Sequence, residues 1–294
     1  MRLIGQTLAT FWLAATLAFF ALRVLPGDAI QAELLSSGAS AETIAERQTA
    51  LGLTDPVGVQ YGRFLTGLLR GDLGVSLSDG RPVTEIIVQQ LAPTITLAVT
   101  ALVMATFGGI VLGTVAALDL PFSGIARLIL DLSLSVPLYW TGTLAIYIFA
   151  VQLNWLPTSG ANHLTLPALV LAFHTAGALG QVVSASVRDT LALDFVRTAR
   201  AKGLRESRVI LRHVLRTALL PTATVIALQA GFLLGGVVIT ESLFVRPGIG
   251  RLLLNATLRQ DYPVVQGIVI LGAFVYTLLN ASADLLYHLL DPRV

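Results

Sequence analysis

Cysteine is absent from all 294 residues, which excludes disulfides, thiolate metal sites and thiol nucleophiles. Charge is scarce as well. Asp, Glu, Lys and Arg make up 12% of the chain, where a soluble domain carries about 25%. Lysine occurs once, at Lys202, and Gly203 follows it, so no Gly-Lys-Ser/Thr phosphate loop exists. The four histidines (His163, His174, His213, His288) show no paired metal-ligand spacing. There is no HExxH pair, no GxSxG elbow and no carboxylate pair inside an apolar run. Asp131 and Asp284 stand near the ends of such runs, next to Arg127 and Arg293, and read as interface residues. Neither an enzyme, a resident cofactor or metal, nor a nucleic-acid partner is expected.

What the chain does have is apolar length. Hydrophobic residues make up 55% and the mean hydropathy is +0.79, which places it in the membrane class. Five runs carry no formal charge: Leu3–Leu22, Ile86–Leu118, Leu132–Val187, Thr217–Thr240 and Tyr262–Ala283. A helical span needs about 20 apolar residues, so four runs hold one helix each. The run Leu132–Val187 holds two, divided by turn chemistry between Gln152 and Pro167. Six transmembrane helices follow, with both termini on one side. Leu3–Leu22 is too long for a signal-peptide core of about 15 residues and reads as an uncleaved first span.

The basic residues set the orientation. Eight of the nineteen lie between Arg188 and Arg216, where the net charge is +5, whereas Asp28–Glu85 carries −4. Basic loops stay inside, so both termini and the Arg188–Arg216 loop are expected in the cytoplasm. Asp28–Glu85 is then extracytoplasmic and partly helical. Ser40 opens one helix pattern (Thr43, Ile44, Arg47, Leu51) that Gly52, Pro56 and Gly58 close, and Tyr61–Leu69 forms a second that ends at Gly71. The expected divisions are a first span at 1–25, an outer segment at 26–90, and a five-helix core at 91–294 with its loop at about 190–216.

Small residues recur every fourth position in two spans. One stripe is Ala101, Ala105, Gly109, Gly113 and Ala117; the other is Ala168, Ala172, Ala176, Gly180 and Ser184. Such stripes let helix backbones approach closely in lipid, within the subunit or across a dimer. Pro137 interrupts the third span and should kink or break it. With Trp140 it is a candidate for a translocation path, or else a packing kink beside an interfacial aromatic. Glu241 ends the fifth span near Arg246 and Arg251, either as part of a gate or as an ordinary solvated carboxylate.

The basic loop has an internal pattern. Asp194–Lys202 suits a helix and Gly203 suits its end. A second helical pattern then places Arg205, Arg208, Arg212 and Arg216 on one face and Leu204, Leu211, Val214 and Leu215 on another. A helix–glycine–helix with one charged and one apolar face fits a docked protein partner, and its charge also fits anionic membrane lipid.

These residues carry a resemblance. Arg197–Gly203 (RTARAKG), with Leu219-Leu220-Pro221 beyond it, looks like the coupling loop of binding-protein-dependent ABC importer permeases. More narrowly, the chain resembles the first (B-type) permease of the dipeptide/oligopeptide/nickel branch. The likeness runs through RVLPGD (Arg23–Asp28), LGLTDPVGVQ (Leu51–Gln60), GLLRGDLGVSL (Gly67–Leu77), GRPV (Gly80–Val83) and SVPLYWTG (Ser135–Gly142). It continues through ESLFVRPGIG (Glu241–Gly250), QDYPVVQG (Gln260–Gly267) and the tail Asp291-Pro292-Arg293. The chain departs from the general loop motif at Arg197-Thr198, where others begin Glu-Ala, and at Arg216, where others have proline.

The resemblance implies an all-α integral membrane protein with the type I ABC importer permease fold in a bacterial inner membrane. It implies a second homologous permease, two ATPase subunits that bind Mg-ATP, and an extracytoplasmic solute-binding protein. Ala199, Arg200, Ala201, Lys202 and Gly203 would carry the ATPase contact. Peptides, nickel or metallophore chelates and glutathione-like solutes are all carried by similar permeases. A stand-alone secondary carrier and a membrane scaffold are the alternatives, and neither requires an ATPase partner.

Overall fold

Close backbone packing in one unit and an aromatic and carboxylate latch in the other organise the chain. The computed structural model describes residues 2–24, 42, 46, 49, 52, 54–118, 120–157 and 163–290, and no strand forms among them. The helices are α1 (Arg2–Val24), α2 (Val57–Leu69), α3 (Val83–Ala117), α4 (Ser123–Ser135) and α5 (Leu138–Ala145), which widens into a π-turn over Ile146–Gln152. There follow α6 (Thr165–Leu191), α7 (Asp194–Ala201), α8 (Glu206–Ala218), α9 (Leu220–Leu243), α10 (Ile249–Leu258) and α11 (Tyr262–Leu290). Contacts divide the chain into two units. One comprises Met1–Thr94 and Pro247–Thr277; the other comprises Ile95–Arg246 and Leu278–Val294.

Among the described residues, α3 and α6 are long and apolar enough to cross a bilayer unbroken. Two further candidates are bent: α4 with α5 and its π-turn, at 113°, and α8 with α9, at 56°. Pro137 breaks the first pair. It forces Val136 into extended backbone (φ −93, ψ 133) and caps the start of α5. Pro221 sits in the first turn of α9, where its missing N–H costs nothing, and the chain turns at Leu219.

The charged stretch between the second and third apolar runs is largely helical. Helix α4 already begins at Ser123 and includes Arg127 and Asp131, since charges four residues apart lie on one helix face and leave the other free to bury. In the segment between the first two apolar runs α2 begins at Val57, directly after Pro56, so Gly58 lies inside a helix and does not end one. The Ser40 helix pattern and the Asp291–Arg293 tail lie outside the described residues, as does most of Arg23–Asp28.

In the first unit Phe19 of α1 packs edge-on against Tyr61 and near Phe64 of α2, and Thr16 shares a 2.7 Å hydrogen bond with the Tyr61 hydroxyl. A second tie is the buried carboxylate of Asp261. It accepts hydrogen bonds from Ser76 Oγ (2.5 Å), Leu77 N–H (3.1 Å) and Ser78 N–H (3.2 Å). One side chain before α11 thus satisfies three donors of the loop that leads to α3. Removing it as Asp261→Ala strands those donors and costs about 2–3 kcal/mol. A lower unfolding temperature in detergent, with Asp261→Asn retaining part of the loss, would check this.

In the second unit the two small-residue stripes meet each other. A Cβ on Gly109 would lie 2.9 Å from the Leu179 Cβ and 3.2 Å from the Ala176 carbonyl. One on Gly113 would collide with the Gly180 carbonyl and lie 2.8 Å from the Val183 Cβ. The seam is therefore within the subunit, and Ala101, Ala105, Ala168, Ala172 and Ala176 bury along it. Helix α4 packs on an adjoining side of α6, where Leu130 covers Gly180 and Ser133 covers Gly177. Gly113→Ala pushes backbone against backbone and should destabilise by about 1–3 kcal/mol. Gly108→Ala, five residues earlier and facing open space, should be neutral or stabilise by up to about 1 kcal/mol. Equal melting temperatures for the two variants would refute the seam.

The candidate coupling elbow and path

The elbow is built from a short helix whose faces differ in kind. Asp194 starts α7, where a carboxylate suits the positive end of the helix, and Arg200 stands in its last turn. Val196 and Ala199, three apart, point inward. They join Val183 and Val187 of α6, Ala117 of α3, and Val209, Val214 and Ala218 of α8 in one buried cluster. At the end of α7, Gly203 takes φ +76, a left-handed conformation that glycine adopts without strain. A Cβ there would meet nothing within 4 Å, so the requirement is conformational and not steric.

Helix α8 differs from the expected amphipathic α-helix. Val209–Val214 forms a π-turn. At 3.6 residues per turn, positions five apart lie about 140° from each other; the wider i→i+5 turn brings Val209 and Val214 into the same core. Leu211, expected on the apolar face, is therefore 68% exposed, and Val209 takes its place. Leu204 and Leu215 pack against the cluster as expected. Arg205, Arg208, Arg212 and Arg216 are all exposed, though Arg212 lies within the π-turn, which breaks the α-helical register of the four.

The five expected coupling residues divide. Arg200, Ala201, Lys202 and Gly203 are exposed, while Ala199 is only 6% exposed and belongs to the elbow's mooring. Arg200 reaches across the glycine turn to Glu206 with a forked pair of 2.5 and 3.1 Å. That hydrogen bond holds the Glu206 carboxyl below its ordinary range and raises the Arg200 guanidinium. Because the carboxyl pKa is depressed on folding, the clasp is present above its unfolded value and is lost as pH falls through the folded one.

The three path or gate candidates fall in separate places. Pro137 is at the α4–α5 break, and Trp140, one turn on, is 57% exposed. Glu241 is completely buried, which corrects the solvated reading. It lies near the end of α9, its backbone carbonyl accepts the Arg246 N–H at 2.9 Å, and Arg246 Nη1 donates to the His163 carbonyl at 3.3 Å. Sequence reasoning missed His174, whose Nε2 shares a 2.6 Å hydrogen bond with Thr141 Oγ1, and Gln181, which donates to Asp131 at 3.4 Å. Their signal was a seven-residue spacing, His174, Gln181 and Arg188, along one face of α6.

Ala199→Leu should overpack the elbow's mooring by about 1–3 kcal/mol, whereas Ala201→Leu should leave stability alone. Faster tryptic cleavage at Arg200 and Lys202 in the first variant only is the expected readout.

Residues 109–294 match the family described as Binding-protein-dependent transport system inner membrane component. The glutathione transport system permease protein GsiC of Salmonella paratyphi A is 38% identical over all of this chain and 97% of its own. That of Pectobacterium atrosepticum is 40% identical with the same coverage. A solved structure described as an amino acid ABC transporter with histidines aligns with a TM-score of 0.54 at 17% identity. The alignment covers 72% of this chain and 95% of that one, so the likeness is one of fold.

Proposed function

The chain belongs to the binding-protein-dependent transport system inner membrane components, and from that membership we infer how its parts work. It is the non-catalytic permease subunit of an ABC importer for peptides or related small solutes, in the peptide/oligopeptide family. Separate ATPase subunits hydrolyse the nucleotide, and a binding protein supplies the solute.

Beyond this, we assign the finer roles as follows. Six spans cross the inner membrane with both termini in the cytoplasm, and α2 belongs to the outer segment. A second homologous permease completes the pathway, and two ATPases bind Mg-ATP beneath. The substrate is glutathione or a similar short peptide; full-length relatives named for glutathione favour that class over nickel.

The observation that carries the coupling role is the elbow's construction. Arg200, Ala201, Lys202 and Gly203 are exposed together at the end of a helix whose opposite face is buried under α6 and α8. Cationic side chains there can make charge-assisted hydrogen bonds to an ATPase cleft. Because the elbow is moored in the apolar cluster, a displacement at its tip moves α6 as a body. Pro137, Trp140 and Glu241 retain the path and gate roles, with Glu241 buried at the end of α9.

Gly203→Val puts a β-branched residue in left-handed backbone at about 1–2 kcal/mol. In proteoliposomes it should abolish uptake and the binding-protein response of ATP hydrolysis while insertion stays normal; Gly203→Asn should keep both. Normal coupled uptake by the valine variant would remove the elbow from the mechanism.

A further inference from the structure

Helix α6 divides its polar residues in a way that packing alone does not explain. Thr175, Ser184 and Thr190 are buried, and each is satisfied locally. Thr175 donates to the Leu171 carbonyl at 2.9 Å, Thr190 donates to that of Ser186 at 2.7 Å, and Ser184 accepts from Arg188 at 3.2 Å. His174, Gln181 and Arg188 are different. They recur every seven residues, so they share one face with a drift of about 20° per heptad. Ala178 and Ala185 lie between them, and Gln181, Ala185 and Arg188 are exposed.

A face with an imidazole, an amide and a guanidinium is not a lipid face, because each polar group in hydrocarbon costs several kcal/mol. Broken span α4–α5 presents matching groups. Thr141 on α5 meets His174, and Asp131 on α4 meets Gln181. Near the elbow Arg127 Nε and Arg188 donate to the same carbonyl, Ala116 O, at 2.9 and 3.4 Å. Neither makes an ion pair among the described residues, and each guanidinium keeps further donors. These two cations, Asp131, Gln181 and Ala185 open onto a cavity of about 250 Å³, room for about eight waters or one end of a hydrated solute. From His174 to Arg188 the helix rises about 21 Å, most of a hydrocarbon core of about 30 Å.

We propose that this face of α6, from His174 and Thr141 down to the Arg127–Arg188 cavity, is this subunit's wall of the solute lane, selective for small solutes with carboxylates in excess of ammonium groups. The proposal rests on the importer reading above and adds the residues that line the path. Two guanidiniums against one carboxylate leave the lower lane cationic, while Asp131 accommodates an ammonium group. Side-chain hydrogen bonds along it stand in for lost hydration, and the small Ala178 and Ala185 leave the space open.

The absence of cysteine makes the test clean. Single variants Ala185→Cys, Leu169→Cys and Ala176→Cys are assembled with the second permease, the ATPases and the binding protein in liposomes. They are then labelled with anionic sulfonatoethyl methanethiosulfonate and with the cationic trimethylammonioethyl reagent. Leu169 is exposed on the opposite side of α6, and Ala176 is buried in the seam. The thiolate is the reacting form, so Ala185→Cys should label about tenfold or more faster than either control, and labelling should stop uptake of S-methylglutathione. The anionic-to-cationic rate ratio at Ala185→Cys should exceed that on a free thiol, and Arg188→Gln should lower it. Slow labelling at Ala185→Cys in a complex that still takes up S-methylglutathione means the face is covered by lipid or the second permease. That result overturns the lane and leaves the importer reading intact. A ratio no higher than the free thiol's overturns the carboxylate preference. No ATP-driven uptake of any small peptide by the unlabelled complex overturns the importer reading, and the lane with it.

Discussion

The backbone contact between Gly113 and Gly180 is the constraint on which the second unit depends. In lipid no hydrophobic force draws apolar helices together, so α3 and α6 hold through close van der Waals packing. Gly109, Gly113 and Gly180, with the alanines in line with them, provide it. Once α6 is fixed on that side, its other faces have defined work. Gly177 and Gly180 receive α4 through Leu130 and Ser133, and Val183 and Val187 continue the seam into the elbow's cluster. The same helix therefore carries a seam, a polar face and the anchor of the exposed cationic tip.

That continuity matters mechanically. A tip held only by a flexible loop would absorb a push, but α7 has two of its eight residues buried in a cluster shared with α3, α6 and α8. The π-turn contributes by placing both Val209 and Val214 in that cluster. It leaves Leu211 outside and puts Arg212 and Arg216 out of α-helical register with Arg205 and Arg208. The clasp between Arg200 and Glu206 lies on the exposed side, where an ion pair contributes at most about 1 kcal/mol. Its role is to set the angle of the glycine turn, while the apolar cluster supplies the stability.

Much of this was legible in the residues. Charge-free runs located the apolar helices, and the spacing of small residues located a seam, because both signals reflect a single helix and its solvent. Gly203 and Pro137 were readable for the same reason: each acts on its own backbone. What could not be read depends on partners distant in sequence. No local rule distinguishes Leu211 from Val209 as the buried residue, since the choice follows from a π-turn that packing against α6 and α7 stabilises. Ala199 counts among the contact residues through the loop resemblance alone, and only the fold shows it turned into the cluster. Glu241 looked solvated because helix ends usually are, and only the surrounding fold buries it. His174 and Gln181 were hidden inside a run defined by having no formal charge.

This last case bears on how an apolar span can carry a polar face. Formal charge is the feature that hydropathy detects, and a solute path that must also insert into a bilayer cannot carry much of it in mid-membrane. Neutral hydrogen-bonding side chains resolve the conflict. His174 and Gln181 are each matched by a group on the neighbouring broken span, so both helices can insert without stranding a polar atom. Arg127, Asp131 and Arg188 stand toward the elbow end of α6, where long side chains reach the interface. Along the helix the polar groups thus run from an imidazole and an amide to the Arg188 guanidinium, which stands at the end nearest α7.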